Sequence, residues 1–167
     1  VFVRSGNSWV QQAKLVPNVL VSSSAYGSAV AISGDTIVVG SPERSTDANF
    51  DGAAYVFVRN GTTWSQQAIL LPSEPYLTNV NRFGIAVAIS GDTIFVGDRA
   101  GNPDNPPESG QLDGVVYAFA RDVQNETWLL EDVLFASERE YDFGDALAFD
   151  GTTLVISAPD TNNNSVG

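Results

Sequence analysis

The sequence predicts an all-β fold: a β-propeller whose blades each contain four antiparallel strands. The first observation is a segment that occurs three times, as YGSAVAISGDTIVVGSP from Tyr26, FGIAVAISGDTIFVGDR from Phe83 and FGDALAFDGTTLVISAP from Phe143. The second is another segment between those copies, with VFVRSGNSWVQQAKL from Val1, VFVRNGTTWSQQAIL from Val56 and AFARDVQNETWLLEDVL from Ala118. The third is the spacing of about 57 and then 60 residues, which is typical of propellers, solenoids and arrays.

The first two strands of each unit come from the segment that begins at Tyr26. Residues 28–32 alternate Ala29 and Ala31 with Val30 and Ile32, a period of two that predicts a strand. The face that carries the two alanines suits a place where several strands lie close together, such as the rim of a central channel. Ser33 and Gly34 predict the central residues of a type I′ hairpin turn. Residues 36–40 are apolar on both faces, so we expect this second strand inside a covered sheet.

The other two strands follow a loop at 41–52 whose Pro, Ser, Asp and Asn content marks a surface connection. Residues 53–58 are rich in aromatic and β-branched side chains and predict the third strand. Asn60-Gly61 is a hairpin signal, and 64–70 is expected to form an outer, partly solvated fourth strand. In the third copy the corresponding loop, DVQNET, is longer and predicts a wider turn. The sequence shows no helical period, so we expect little helix.

These units divide the chain into 1–25, the end of one blade and a crossing; 26–82, a blade; 83–142, a blade; and 143–167, the start of another. One blade of this size buries too little surface to be stable alone, and propellers close with 4–8 blades. We therefore expect further blades in a longer parent chain, giving six or seven in all. The alternative is that two such chains close a six-bladed ring.

Composition narrows the choice of partner. The net charge of −12 disfavours nucleic acid and anionic membrane surfaces, and favours cations or basic proteins as partners. The alternative is that the acidity only keeps the surface soluble. The absence of Cys removes disulfides and thiol nucleophiles, and the absence of His removes the commonest general base and metal ligand. No apolar run approaches the ~20 residues that a membrane-spanning helix needs.

The repeated segments resemble the FG-GAP repeat of the integrin α-type β-propeller. The resemblance rests on three pairs of motifs: Tyr26-Gly27 with Gly40-Ser41-Pro42, Phe83-Gly84 with Gly97-Asp98-Arg99, and Phe143-Gly144 with Ser157-Ala158-Pro159. It implies an extracellular adhesion or recognition module. Integrin-type repeats carry an Asp-rich calcium loop between the first two strands, whereas this chain has a short turn there. The family's calcium residues therefore have no counterparts, and the chain is more similar to divergent microbial repeats.

Oxygen ligands at alternate positions do occur in another loop. Asp47, Asn49 and Asp51 precede Gly52 and resemble the start of a calcium loop. A similar array with fewer charges is formed by Asp160, Asn162 and Asn164. Ca²⁺ is thus the one cofactor that the sequence suggests; the alternative is that these residues serve turn geometry alone. N-glycosylation sequons, which matter if the protein is secreted by a eukaryote, begin at Asn60, Asn125 and Asn163.

The sequence favours a non-catalytic, extracellular or cell-surface module that recognises protein or glycan through its loops. A structural subunit of a filament or surface appendage, which binds other copies of itself, is the alternative. A carbohydrate-active enzyme would need paired carboxylates. The available run, Glu138, Glu140, Asp142 and Asp145, has the character of a solvated charged segment.

Overall fold

The computed structural model describes residues 1–19, 24–45, 52–72, 82–99, 114–137 and 142–159. Within them the chain forms twelve β-strands. These are β1 (Phe2–Ser5), β2 (Ser8–Gln11), β3 (Val30–Ser33), β4 (Thr36–Ser41), β5 (Ala53–Asn60), β6 (Thr63–Leu70), β7 (Ala86–Ser90), β8 (Thr93–Asp98), β9 (Val115–Asp122), β10 (Thr127–Leu134), β11 (Leu147–Phe149) and β12 (Leu154–Ile156). In these ranges no helix is long and apolar enough to span a bilayer.

The strands form two complete sheets and two hairpins. Sheet I has the order β3-β4-β5-β6 and sheet II the order β7-β8-β9-β10, so that every neighbouring pair in space is also consecutive in the chain. All of these pairs are antiparallel. The hairpin β1–β2 precedes sheet I, and the hairpin β11–β12 follows sheet II. The predicted all-β fold of four-stranded antiparallel blades is confirmed.

By sequence correspondence the two hairpins are halves of the same unit. Phe2 in β1 corresponds to Phe57 in β5, and Trp9 in β2 to Trp64 in β6, so β1–β2 is a third and fourth strand. Leu154 in β12 corresponds to Ile37 in β4, so β11–β12 is a first and second strand. Two complete units are therefore flanked by two complementary half-units.

The turn between the first two strands differs from the prediction. Ser33 pairs with Thr36, which makes Gly34 and Asp35 the two loop residues. Gly34 has φ of +56°, and Asp35 does not share the positive φ that a type I′ turn requires at both positions. The prediction of a type I′ turn centred on Ser33-Gly34 was wrong: a glycine at the first central position matches type II′.

The second strand of sheet I lies in the core, as its sequence predicts, since all six residues of β4 are buried. The core between sheets I and II forms because large side chains of one sheet fit against small ones of the next. Val87 and Ile89 of β7 belong to the core cluster against which Ala29 and Ala31 pack. The alanine face predicted for the rim of a channel is thus the face that receives the next sheet. Interdigitation of large and small residues gives the close packing that protein interiors require.

Two glycines allow the backbones of consecutive units to touch. A Cβ added to Gly40 would lie 2.0 Å from the carbonyl oxygen of Gly84, and one added to Gly97 would lie 2.0 Å from that of Gly144. Each contact joins the end of a second strand to the Gly of the following Phe-Gly pair. Gly is needed at these positions because any side chain would separate the sheets.

Candidate functional site

Within sheets I and II, the long connections between the second and third strands leave the same edge, which we name the loop edge. Strand β4 ends at Ser41 and strand β8 at Asp98, and their connections occupy 42–52 and 99–114. The connections at the opposite edge are far shorter, because Gly34-Asp35 and Gly61-Thr62 each join two strands directly. Long loops on a packed strand framework are where binding residues are usually found.

The far end of each long connection is fixed on the next unit. Gly52 forms a parallel bridge with Phe83, and its backbone N–H also donates to the Arg44 carbonyl at 3.1 Å. An added Cβ at Gly114 would lie 2.2 Å from the Phe143 carbonyl oxygen, which shows the same close contact one unit later. Phe83 is fully buried and meets the Tyr117 ring edge-to-face at 5.1 Å. The loops therefore begin and end on rigid positions.

Charged side chains at the loop edge form ion pairs close to the boundaries between units. The Arg82 guanidinium lies 3.1 Å from the Glu43 carboxylate. Arg99 lies 3.5 Å from Asp145 and 3.9 Å from Asp142. These side chains are all between about one third and one half exposed, so each pair contributes little to stability. The Arg99–Asp145 pair joins one unit to the next.

Asp98 has a structural role in the same region. It is fully buried, and its Oδ1 accepts a hydrogen bond of 2.8 Å from the Arg82 backbone N–H. Ser41 is its counterpart in sheet I, where the Ser41 hydroxyl donates to the Ser24 carbonyl at 2.8 Å. Both side chains therefore fix the segment that enters the first strand of their own unit.

A hydrogen bond between tryptophan and glutamine repeats at the outer strands. Trp64 Nε1 donates to Gln12 Oε1 at 2.8 Å, and Trp128 Nε1 donates to Gln67 Oε1 at 3.0 Å. Gln67 lies at a β-bulge in β6, where the register shifts between Ala68 and Gln66. A bulge re-aims a side chain, and here it directs the amide towards the following unit. The expected position of the tryptophans at the outer strands is observed, with an added role in joining units.

Sheet I has an apolar face that is exposed along β3, which we name the open face. On β4 the same face is buried, and Val1 and Leu15 pack against the cluster that contains Ile37 and Val39. The open face carries Val30 and Ile32 of β3, which are 68% and 61% exposed. A groove of about 310 Å³ runs along it, lined by Val1, Phe2, Leu15, Val30, Ala31, Ile32, Ile37 and Val39. The corresponding side chains of β7, Val87 and Ile89, are buried against sheet I.

Three titratable groups are perturbed by their surroundings. Hydrogen bonds from the Asn125 side chain, then from its backbone, lower the pKa of Asp122. Backbone donors at Thr153 and Thr152 likewise lower the pKa of Asp150. Both aspartates are in turns, and the perturbation reflects turn geometry. Burial, followed by the proximity of Tyr55, raises the pKa of Tyr26 to about 12.

The residues predicted to bind calcium lie outside the described part of the chain: Asp47, Asn49, Asp51, Asp160, Asn162 and Asn164. That hypothesis stays a prediction. Among described residues no group of three or more acidic side chains is arranged to hold a metal ion. The sequon at Asn163 also falls outside them, whereas Asn60, at the end of β5, and Asn125, in a turn, are both exposed. Asn125 Nδ2, the atom a glycan would occupy, donates to Asp122 Oδ2 at 2.7 Å.

The acidic run considered for catalysis is described in part. Glu138 and Glu140 lie outside the described residues, while Asp142 and Asp145 both face Arg99. Both carboxylates are therefore engaged in ion pairs with the same guanidinium. The described arrangement is therefore that of an ion-paired junction between units.

The four-stranded antiparallel sheets repeat along the chain and contact each other closely at glycines. This arrangement is that of a protein of the β-propeller class. The chain belongs to the FG-GAP repeat family, since the family model matches residues 9–57 and 64–119. A comparison with curated proteins found no match.

Sequence reasoning missed the glutamines that receive the tryptophan hydrogen bonds. Their one signal was the repeated Gln-Gln pair, Gln11-Gln12 and Gln66-Gln67, in two of the three copies. A single sequence contains no pattern that reveals a β-bulge, and so it does not show which of the two glutamines faces the neighbouring unit. Val30 and Val87 occupy equivalent positions of the repeat, and their exposures differ because a neighbouring sheet covers Val87 alone.

Proposed function

We propose that this chain is part of an extracellular or cell-surface β-propeller that recognises a protein or glycan at its loop edge, without catalysis. Membership of the FG-GAP family supports this proposal, because these repeats typically occur in extracellular proteins and are generally non-catalytic. The observation that carries it is the shared exit of the two long connections, 42–52 and 99–114, from one edge of packed sheets.

The physical argument is one of preorganisation. Binding orders loops at a cost of about 0.5–1.5 kcal/mol for each immobilised side chain, so loops that start from fixed positions lose less. Gly52 and Gly114 are held in backbone contact with Phe83 and Phe143, and Ser41 and Asp98 are buried. These anchors reduce the ordering cost whatever ligand the loops meet.

The test is binding to a printed glycan panel and a panel of cell-surface ectodomains, with two matched variants. The first replaces 100–113 at the loop edge by a Gly-Ser linker. The second replaces the four-residue turn at 123–126, at the opposite edge, by Asn-Gly. We expect the first to weaken binding at least tenfold and the second to leave it unchanged, with equal far-UV circular dichroism. Absence of binding to both panels, or loss confined to the second variant, would contradict the proposal.

A second candidate function, a structural subunit of a filament or appendage, is favoured by the open face. An exposed apolar face flanked by polar residues is characteristic of a protein interface. Negative-stain electron microscopy distinguishes the two functions, because a filament subunit assembles into fibres and a recognition module forms compact particles.

A further inference from the structure

Two N-glycosylation sequons lie at the same position of consecutive units. Asn60 is the last residue of β5 and pairs with Thr63, and Asn125 lies in the turn that joins β9 to β10. Both turns join a third strand to a fourth, so both lie at the edge opposite to the loop edge, which we name the turn edge. A group attached to either asparagine would therefore be held at the end of the sheet that is remote from the long connections.

The first sequon, Asn60-Gly61-Thr62, is exposed at all three residues. The side-chain amide of Asn60 forms no hydrogen bond within the part of the chain that the structure describes. A Cβ added to Gly61 would meet nothing within 4 Å, which shows that the space around the tip of this hairpin is open. An N-linked glycan is a bulky surface group, and this turn offers its acceptor nitrogen free and with room around it.

The second sequon, Asn125-Glu126-Thr127, is also exposed, but its acceptor nitrogen is engaged. Asn125 Nδ2 donates to Asp122 Oδ2 at 2.7 Å. The backbone N–H groups of Gln124 and Asn125 donate to Asp122 Oδ1 at 3.0 and 3.3 Å. These bonds join residues at most three positions apart, so they form locally and do not require the rest of the sheet. Their acceptor is a carboxylate, which makes them stronger than hydrogen bonds between neutral groups.

We infer that Asn60 carries an N-linked glycan and that Asp122 suppresses glycosylation of Asn125. The inference rests on the proposed extracellular location, because N-glycans are added to chains that enter a secretory pathway. The sugar donor is a polyprenyl-diphosphate-linked oligosaccharide. Asn60 Nδ2 forms a bond to the anomeric carbon of this donor and gives up one of its two protons. The bond from that carbon to the diphosphate oxygen breaks, and its electron pair leaves with the diphosphate.

A glycan at Asn60 determines which surface of the unit remains accessible. It covers the turn edge of sheet I, where Arg59 forms its ion pair with Asp35. The connections 42–52 and 99–114 leave the opposite edge and stay uncovered. The glycan is therefore compatible with recognition at the loop edge, and it restricts the approach of other molecules to the turn edge.

The test is secretion of the 167-residue chain from a eukaryotic host, followed by peptide mass spectrometry. Trypsin separates the two sequons, because cleavage after the arginines at 59, 82, 121 and 139 gives peptides 60–82 and 122–139. A glycan-releasing amidase in heavy-oxygen water converts each glycosylated asparagine to labelled aspartate, and a digest without the amidase corrects for spontaneous deamidation. We expect label in most copies at Asn60, and roughly fivefold less at Asn125, the factor that one net hydrogen bond supplies.

Three variants separate the hydrogen bond from other causes of this difference. Asp122→Ala removes the acceptor and should raise the label at Asn125 roughly fivefold, to the level of Asn60. Glu126→Gly gives the second sequon the same Asn-Gly-Thr sequence as the first while Asp122 stays in place, so the label at Asn125 should stay low. Thr62→Ala removes the first sequon and should abolish the label at Asn60.

A further variant tests whether the host glycosylates this chain at another exposed position. Glu43→Asn creates a sequon with Ser45 at the loop edge, where Glu43 is exposed. An unlabelled Asn60 would overturn the inference, and a label at position 43 of this variant would show that the result belongs to Asn60 and not to the host. Equal label at Asn60 and Asn125, or a rise at Asn125 in Glu126→Gly alone, would overturn the role of Asp122. These outcomes report glycan attachment alone, so they are distinct from a failure of the proposed recognition, which the binding panels report.

Discussion

Replacing Gly40 by alanine should destabilise the protein more than replacing a glycine of a hairpin turn, such as Gly34, by alanine. The added Cβ would lie 2.0 Å from the Gly84 carbonyl oxygen, and both atoms belong to packed backbone. A carbon–oxygen contact needs about 3.3 Å. The units must therefore move apart by roughly 1.3 Å or distort, because neither backbone can rotate away as a flexible side chain could.

The size of the loss follows from the contact that this movement opens. Burial of Val87 and Ile89 against Ala29 and Ala31 stabilises the fold by about 1.5–3 kcal/mol for each large side chain. A gap of 0.5–1 Å removes a quarter to a half of the dispersion attraction. This gives about 1–3 kcal/mol, to which overpacking strain adds a similar amount. We expect a total of about 2–6 kcal/mol, or a melting temperature lower by roughly 4–24 °C.

The assay is urea unfolding followed by tryptophan fluorescence, with Gly34→Ala as the matched control. Gly34 has φ of +56° and nothing within 4 Å of an added Cβ, so its substitution measures backbone strain alone, about 1–2 kcal/mol. Gly97→Ala should repeat the larger effect, since its Cβ would lie 2.0 Å from the Gly144 oxygen. If Gly40→Ala costs no more than Gly34→Ala, backbone contact between units does not hold them together as argued.

Three further predictions concern a hydrogen bond, a proton and a metal. Gln67→Leu should lower the free energy of unfolding by about 1–3 kcal/mol, because the buried Trp128 N–H loses its hydrogen-bond acceptor. An unchanged urea midpoint of unfolding would contradict this. The pKa of Tyr26 is raised in the folded state, so stability is fully present below pH 10 and falls as pH rises towards 12. Tyr26→Phe, which copies Phe83, should flatten that fall in pH-dependent melting curves, and parallel curves would refute it. If residues 47–51 bind calcium, EDTA should lower the melting temperature by several degrees, whereas no shift together with negligible bound metal would end that hypothesis.

The repeated elements of the fold were predictable because strand periodicity is local. The alternation at 28–32 and the apolar run at 36–40 placed β3 and β4 within two residues of their observed bounds. The turn between them was misplaced by one residue, because Ser33 also satisfies the preference for a small polar residue in a turn. Ser33 is instead the last residue of β3, and its hydroxyl accepts a hydrogen bond from Gly91 N of the next unit.

The site was less predictable, since it depends on contacts between units. Nothing in the sequence of β6 indicates that Gln67, and not Gln66, turns to the next sheet; that choice is made by a bulge. The sequence likewise did not determine what the face with Ala29 and Ala31 contacts, because small residues suit the rim of a channel as well as a face packed against another sheet. The acidic residues at 47–51 could be recognised from the sequence as possible cation ligands because they offer oxygen atoms. Whether these atoms converge on one ion depends on a loop conformation that composition does not determine.

Exposure in this chain reports whether a neighbouring unit is present more than it reports the chemistry of the residue. The three tryptophans show this most clearly, since Trp9 is 69% exposed, Trp64 is half-buried and Trp128 is 9% exposed at one and the same position of the repeat. Val30 and Val87 differ in the same way, at 68% and 8%. An isolated unit would expose all of these side chains, so each sheet depends on its neighbour for stability, as the additive behaviour of repeat proteins requires. A substitution at an interface position should therefore weaken a unit in proportion to how completely its neighbour covers that position. Alanine at Trp128 should accordingly lower the free energy of unfolding more than alanine at Trp9.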